Sequence, residues 1–174
     1  MQKNKSLRPP KAAGRSDIFQ TPDWPIDTIL RYVPKHWKIW EPAAGQGNII
    51  TRVRALGYHA EGTDILHGFD FLSPLFRPEF DYDIHLTNPP YSLKDKWLAR
   101  CYEIGKPFAL LLPITALGEG ARFKLYRRNS IQLVMLPRRI DFTTPSGKVG
   151  GGWFYAAWFC WKLDLPNQIT FPDE

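Results

Sequence analysis

Two adjacent prolines at the end of an apolar run constrain this chain more than any other feature. Asp83-Ile84-His85-Leu86-Thr87 reads as a buried strand, and Asn88-Pro89-Pro90-Tyr91 follows at once. Neither proline has a backbone N–H, and each fixes its own φ, so a sheet ladder cannot continue through them. The chain must leave the sheet stiffly, with Asn88 and the Tyr91 ring held at the carboxyl end of a strand. In open α/β sheets that edge is where ligands bind. The bland alternative is a strand-ending turn whose tyrosine packs on the core, since Asn-Pro commonly opens turns.

A second turn of the same character lies upstream. The strand candidate Trp37-Lys38-Ile39 runs into Trp40-Glu41-Pro42-Ala43-Ala44-Gly45-Gln46-Gly47, and a helical pattern covers Asn48 to Leu56. Strand, glycine turn and helix in that order bring backbone close to a nucleotide or nucleoside. The dinucleotide fingerprint is excluded because position 50, where its third glycine belongs, is Ile. A phosphate loop is excluded because no Gly-Lys-Ser/Thr follows. Thr63-Asp64 then closes another strand candidate, Tyr58 to Gly62, where an acid can accept from ribose hydroxyls. Together these features imply a nucleoside cofactor without a pyrophosphate, in preference to NAD.

The ordered set Glu41-Pro42-Ala43-Ala44-Gly45-Gln46-Gly47, Asp64, Asp70-Phe71 and Asn88-Pro89-Pro90-Tyr91 resembles the S-adenosylmethionine (AdoMet)-dependent amino-group methyltransferases. The branch it resembles is the adenine-specific DNA methyltransferases, of the small kind carried by phage and prophage genomes. Phe19-Gln20-Thr21-Pro22 resembles the Thr-Pro element that this family places before its glycine turn, and the likeness runs over residues 17–163. It implies an α/β, Rossmann-like fold of reduced size, a mostly parallel twisted sheet with an antiparallel C-terminal strand. It implies AdoMet as cofactor, contacted by the turn residues Ala43, Gly45 and Gly47. Asp64 is then expected on the ribose, Asp70 on the cofactor's adenine amine, and the Phe71 backbone N–H on its ring. Glu41 is expected near the methionyl ammonium, with Thr21 and Pro22 toward the carboxylate. The bland reading of Asp70 is a turn cap.

The chemistry implied is methylation of the exocyclic N6 of a DNA adenine that has left the duplex. Hydrogen bonds from the two amino protons to the Asn88 side-chain oxygen and the Pro89 carbonyl localise the nitrogen lone pair. Pro89 and Pro90 make that carbonyl's direction rigid, and Tyr91 stacks on the base, worth about 1–3 kcal/mol. Phe142 is the candidate for a second aromatic against the base, with Trp153 and Tyr155 behind it; aromatics on a terminal strand also commonly fill a core. Arg138, Arg139 and Lys148 are candidates for gripping backbone phosphates, against the plainer reading of a solvated loop. The same Asn-Pro-Pro-Tyr chemistry serves RNA adenine, cytosine's exocyclic amine or a protein glutamine amide. A catalytically silent nucleic-acid-binding module is the remaining alternative.

A length of 174 residues suits one domain, expected to be catalytic over residues 16–174 with no separate target-recognition domain. Selectivity for sequence is then expected to be short, or to come from residues 65–82 and 137–152. A net charge of +6 suits a polyanion, and DNA is the partner expected. Residues 1–15, with five Lys or Arg and Pro9-Pro10, read as a mobile basic arm. Cys101 and Cys160 have no metal-ligand spacing and read as buried thiols in a reducing, cytoplasmic setting, while four scattered histidines suggest no metal site. No apolar run reaches membrane-span length, and the N-terminus lacks a signal peptide's apolar region.

Further elements are legible from periodicity. Helices are expected over Pro25 to Val33 with Asp23 as a cap, over Lys94 to Gly105 and over Glu119 to Arg128. Strands are expected over Pro107 to Ile114, Ile131 to Leu136 and Trp153 to Lys162. Residues 65–82 show no helix, 137–152 read as a loop, and the tail reads as polar and proline-broken.

Overall fold

The computed structural model describes residues 20–118, 120–143, 149–151 and 154–173. The basic arm, Lys148 and Trp153 lie outside them. In chain order the elements are α1 (Asp23–Leu30), β1 (Lys38–Glu41), α2 (Asn48–Ala55), β2 (His59–Gly62), β3 (Ile84–Thr87), α3 (Lys94–Ile104), β4 (Phe108–Pro113), α4 (Gly120–Asn129), β5 (Gln132–Met135), β6 (Asp141–Thr143), β7 (Val149–Gly151), β8 (Ala156–Trp161) and β9 (Ile169–Thr170). Seven strands make one sheet in the order β2-β1-β3-β4-β8-β5-β9, and β6 and β7 form a separate hairpin. Strands β1 to β4 pair in parallel; β8 runs antiparallel to both β4 and β5.

The pleat sorts side chains by parity onto two faces. Ile39, Ile84, Leu86, Leu111 and Trp158 face one way, against Ile26, Ile29 and Val53 of α1 and α2. Trp40, Phe108, Leu110 and Phe159 face the other way, against Trp97 and Leu98 of α3. Strand β4 is buried on both faces, Phe108 to Leu112 all 0% exposed, which is why its sequence is an unbroken apolar run. Both cysteines are buried and free, and burial pushes both thiols up from their ordinary pKa.

The connection from β2 to β3 carries no α-helix, only a 3₁₀ turn at Ile65–His67. Aromatic packing fills that space instead: Phe71, Phe76, Phe80 and Tyr82 surround Trp40 with ring centroids 4.9–6.2 Å away. Arg100 of α3, 6% exposed, ties the segment down by donating to the Phe71 and Ser73 carbonyls at 3.3 and 3.2 Å. His85 is buried among the same rings, and burial lowers its pKa to about 3, so the imidazole is neutral.

Three expectations are corrected. Asp23 lies inside the first turn of α1 while Pro22 takes the cap position, because proline's fixed φ suits a helix start. The segment 137–152 is not a plain loop but holds the β6–β7 hairpin, too short for periodicity to show. The tail adds β9 at the sheet edge, parallel to β5, with only two residues to signal it.

Candidate active site

Because β1, β2 and β3 are parallel, their carboxyl ends share one edge, and Glu41, Thr63-Asp64 and Asn88 emerge there together. The turn after β1 uses two left-handed glycines, Gly45 at φ +52° and Gly47 at φ +81°, the second opening α2. Residues other than glycine pay about 1–2 kcal/mol for that conformation. The turn is fastened to the end of β2: the Ala44 N–H donates to the Thr63 carbonyl at 3.0 Å and the Gly45 N–H to Asp64 Oδ2 at 2.8 Å. Asp64 Oδ1 accepts from the Leu66 N–H at 2.9 Å. Two backbone donors therefore fix this carboxylate, and each oxygen keeps a lone pair for a ligand hydroxyl.

Gly62, which the motif reading passed over, lets the turn sit this close. A Cβ there would stand 2.9 Å from the Ala44 Cβ and 3.1 Å from Ile50 Cγ1. Gly62→Ala must push the Pro42–Gly45 turn outward, and cofactor affinity is expected to fall about tenfold while the protein still folds. Calorimetric titration beside a circular-dichroism melt checks this; unchanged affinity would mean the turn does not grip the ligand.

Between these turns lies a cleft of about 320 Å³, within the size of small-molecule sites. Of the sequence-predicted residues, Thr21, Glu41, Ala43, Gly45, Asp64, Asp70, Phe71, Asn88 and Pro90 line it. Pro22, Gly47, Pro89 and Tyr91 neighbour those residues in sequence without lining the cleft themselves. Glu41 is 2% exposed, and its Oε2 is buried with no partner. Burial raises its carboxyl well above the usual range, against a lowering contribution from the Ile50 backbone hydrogen bond. Asp70 caps a local turn, its Oδ1 accepting from the Leu72 N–H at 2.9 Å, and also lines the cleft. Phe71 is buried and stacks on Trp97 with centroids 4.3 Å apart.

The diproline corner is built as its sequence dictates. Pro89 is buried, Pro90 half-buried, and the chain turns into a 3₁₀ turn at Tyr91–Leu93, closed by the Leu93 N–H on the Pro90 carbonyl at 2.9 Å. Asn88 Nδ2 donates to Thr21 Oγ1 at 3.1 Å, and Asn88 Oδ1 is buried without a partner. The half-buried Tyr91 ring meets Phe142 edge-on at 6.4 Å and Phe154 at 5.6 Å. Phe142 is 4% exposed and belongs to the core as well as standing beside Tyr91. Phe154 was passed over because it stands between Trp153 and Tyr155 in an unbroken aromatic run, where no period singles out one ring. Arg138 and Arg139 are exposed and do not line the cleft; they lie over the rings of Trp24 and Tyr155 at 4.9 and 5.2 Å.

Several lining residues were not anticipated, among them Gln20, Asn48, Ile65, Leu66, Phe69, Leu93 and Trp97. Ile65, Leu66 and Phe69 are 67%, 71% and 42% exposed, and their signal in the sequence was an apolar group directly after Asp64. Trp97 reads only as a core residue of α3, because one ring both packs on Phe71 and fronts the cleft. Among the described residues no helix is long and apolar enough to cross a membrane, and no group of His, Cys, Asp or Glu is arranged to hold a metal.

No protein-family model matches the chain, and no curated protein matches it significantly. Its architecture does match a solved structure described as a modification subunit of a type I restriction enzyme from Vibrio vulnificus YJ016. That match has a TM-score of 0.51 over 86% of this chain at 17% identity. The chain spans 45% of that neighbour's length. At this identity the likeness is one of fold: an α/β, Rossmann-like sheet, mostly parallel with one reversed strand, of the type found in that subunit.

Proposed function

We propose that this chain is an AdoMet-dependent methyltransferase acting on the N6 amine of adenine in DNA. The observation that carries the reading is the buried, unpartnered Asn88 Oδ1 in the same cleft as Glu41, Gly45 and Asp64. A bare acceptor at that position is costly to a folded chain unless a donor arrives there.

The lining residues fit AdoMet by their chemistry. Glu41 offers an ammonium a buried carboxyl whose Oε2 has no partner, Asp64 offers held acceptors to ribose hydroxyls, and Asp70 and the Phe71 N–H suit the edge of an adenine. Ala43 and Gly45 let backbone approach the cofactor, Pro22 and Gly47 adjoin the lining in sequence, and Thr21 lines the cleft beside Asn88. When bound, AdoMet supplies a methyl group on a positively charged sulfur, which departs as a neutral thioether keeping the bonding electron pair. The chain's own task is to prepare the amine. An aromatic amine is a poor nucleophile because its lone pair is spread into the ring. Asn88 Oδ1 and the Pro89 carbonyl accept hydrogen bonds from the two amino N–H groups and bring that lone pair onto nitrogen, and Tyr91 holds the base by stacking. Once the new N–C bond has formed the nitrogen is cationic, and the one proton it sheds passes to water. Phe142 supports the base side from behind Tyr91, and Arg138, Arg139 and Lys148 contact phosphates.

Methyl-labelled AdoMet incubated with duplex DNA, single-stranded DNA, RNA and a glutamine-bearing protein tests the assignment. Label on N6 of deoxyadenosine is expected. Label on cytosine, RNA or protein alone moves the substrate class, and label nowhere removes the reading.

A further inference from the structure

A carboxamide has two ends, and only the oxygen can accept a proton from a substrate amine. Which end of Asn88 faces the cleft therefore decides whether the amide helps or blocks. One side chain settles it: Thr21 Oγ1 accepts from Asn88 Nδ2 at 3.1 Å, leaving Oδ1 as the end without a partner. Thr21 is 2% exposed, so its hydroxyl is shielded from bulk water. Thr21 is held in turn by backbone. The Gln20 N–H donates to the Thr143 carbonyl at 2.9 Å, and the Thr143 N–H returns to the Gln20 carbonyl at 3.4 Å. Thr143 ends β6, and the preceding residue, Phe142, is the one whose ring stands edge-on to Tyr91.

We propose that Thr21 is a positioning residue that aims the Asn88 amide oxygen at the substrate amine, and that β6 steadies both base-handling groups. It reaches Asn88 through Gln20 and Thr21, and Tyr91 through Phe142. The proposal rests on the methyltransferase reading and departs from the resemblance at one point. If Thr21 served only the carboxylate of AdoMet, losing its hydroxyl would weaken cofactor binding. If it aims Asn88, the loss falls on turnover.

The test uses the full chain with Thr21→Val, which keeps the shape and removes the acceptor, and Thr21→Ser, which keeps the hydroxyl. Thr21→Val is expected to lower kcat about tenfold, the worth of one hydrogen bond, with AdoMet Kd within about twofold. Thr21→Ser is expected to restore most of it. A readout independent of turnover is the Asn88 side-chain NH₂ resonance pair in ¹⁵N-labelled protein, identified by its absence in Asn88→Ala. It should shift and exchange faster in Thr21→Val and stay near its original position in Thr21→Ser. Should the valine variant pack badly, Thr21→Ala removes the same acceptor and is read the same way. Weaker AdoMet binding at unchanged kcat, or unmoved Asn88 amide signals, overturns the proposal. If the unaltered protein transfers no methyl group, the functional reading fails, and the amide resonances still decide the role of Thr21.

Discussion

Replacing Asn88 by alanine is expected to lower turnover about 10²–10³-fold, the usual loss when one pre-aimed hydrogen-bonding group is deleted from an active site. AdoMet affinity should stay within a few-fold of the unaltered protein. The asymmetry follows from position. Asn88 leaves the end of β3, whereas Glu41 and Asp64, the proposed ammonium and ribose acceptors, leave the ends of β1 and β2. Their fastenings, Asp64 on the Gly45 and Leu66 amides, do not run through Asn88. Calorimetric titration with AdoMet beside single-turnover kinetics separates the two effects. A parallel collapse of cofactor binding would show that donor and acceptor sites are not divided this way.

Glu41→Gln should have opposite effects on stability and on binding. The folded-state pKa of Glu41 is raised above its unfolded value, so its contribution to stability is fully present below the unfolded pKa, about 4.3, and is lost as pH rises toward the folded value. At neutral pH the ligand-free protein therefore carries the strain of a buried carboxyl that resists ionisation. The neutral amide removes that strain, and the variant should melt at higher temperature than the unaltered protein near neutrality, with the gap closing in acid. Cofactor affinity should move the other way. Removing one partner of a buried charge pair costs about 3 kcal/mol or more, on the order of 10²-fold in Kd. Binding a cation beside Glu41 favours its ionised form, so AdoMet affinity should fall as pH is lowered, seen in titrations run across the acid range. A variant that is less stable than its parent at neutral pH, or that binds AdoMet normally, would contradict the placement of Glu41.

The legible parts of the fold were those where one residue type leaves the chain few choices. The prolines at 89 and 90 forced β3 to end, the glycines at 45 and 47 form the turn their sequence suggested, and the five-residue apolar core of β4 marked a central strand. The missing crossover helix between β2 and β3 was visible as a lack of periodicity. What filled its place was not, because aromatic packing around Trp40 and the anchoring by Arg100 are contacts between distant residues. The β6–β7 hairpin and β9 were missed because strands of two or three residues carry no period. The motifs brought Thr21, Glu41, Asp64, Asp70 and Asn88 to the list of candidates one by one. The fold alone brings them around one cleft, with Gly62 making room and Thr21 touching Asn88 across long stretches of chain.

The shared cleft itself is open to one direct measurement. A bisubstrate adduct, with an adenine N6 joined through a short carbon bridge to the cofactor's amino-acid and nucleoside frame, should bind at least about 10²-fold more tightly than AdoMet, since its second half arrives already tethered. Glu41→Gln and Tyr91→Ala should each weaken it, one through the cofactor half and the other through the base half. An adduct that binds no better than AdoMet, or whose affinity ignores Tyr91, would mean that methyl donor and base do not meet at the carboxyl edge of β1 to β3.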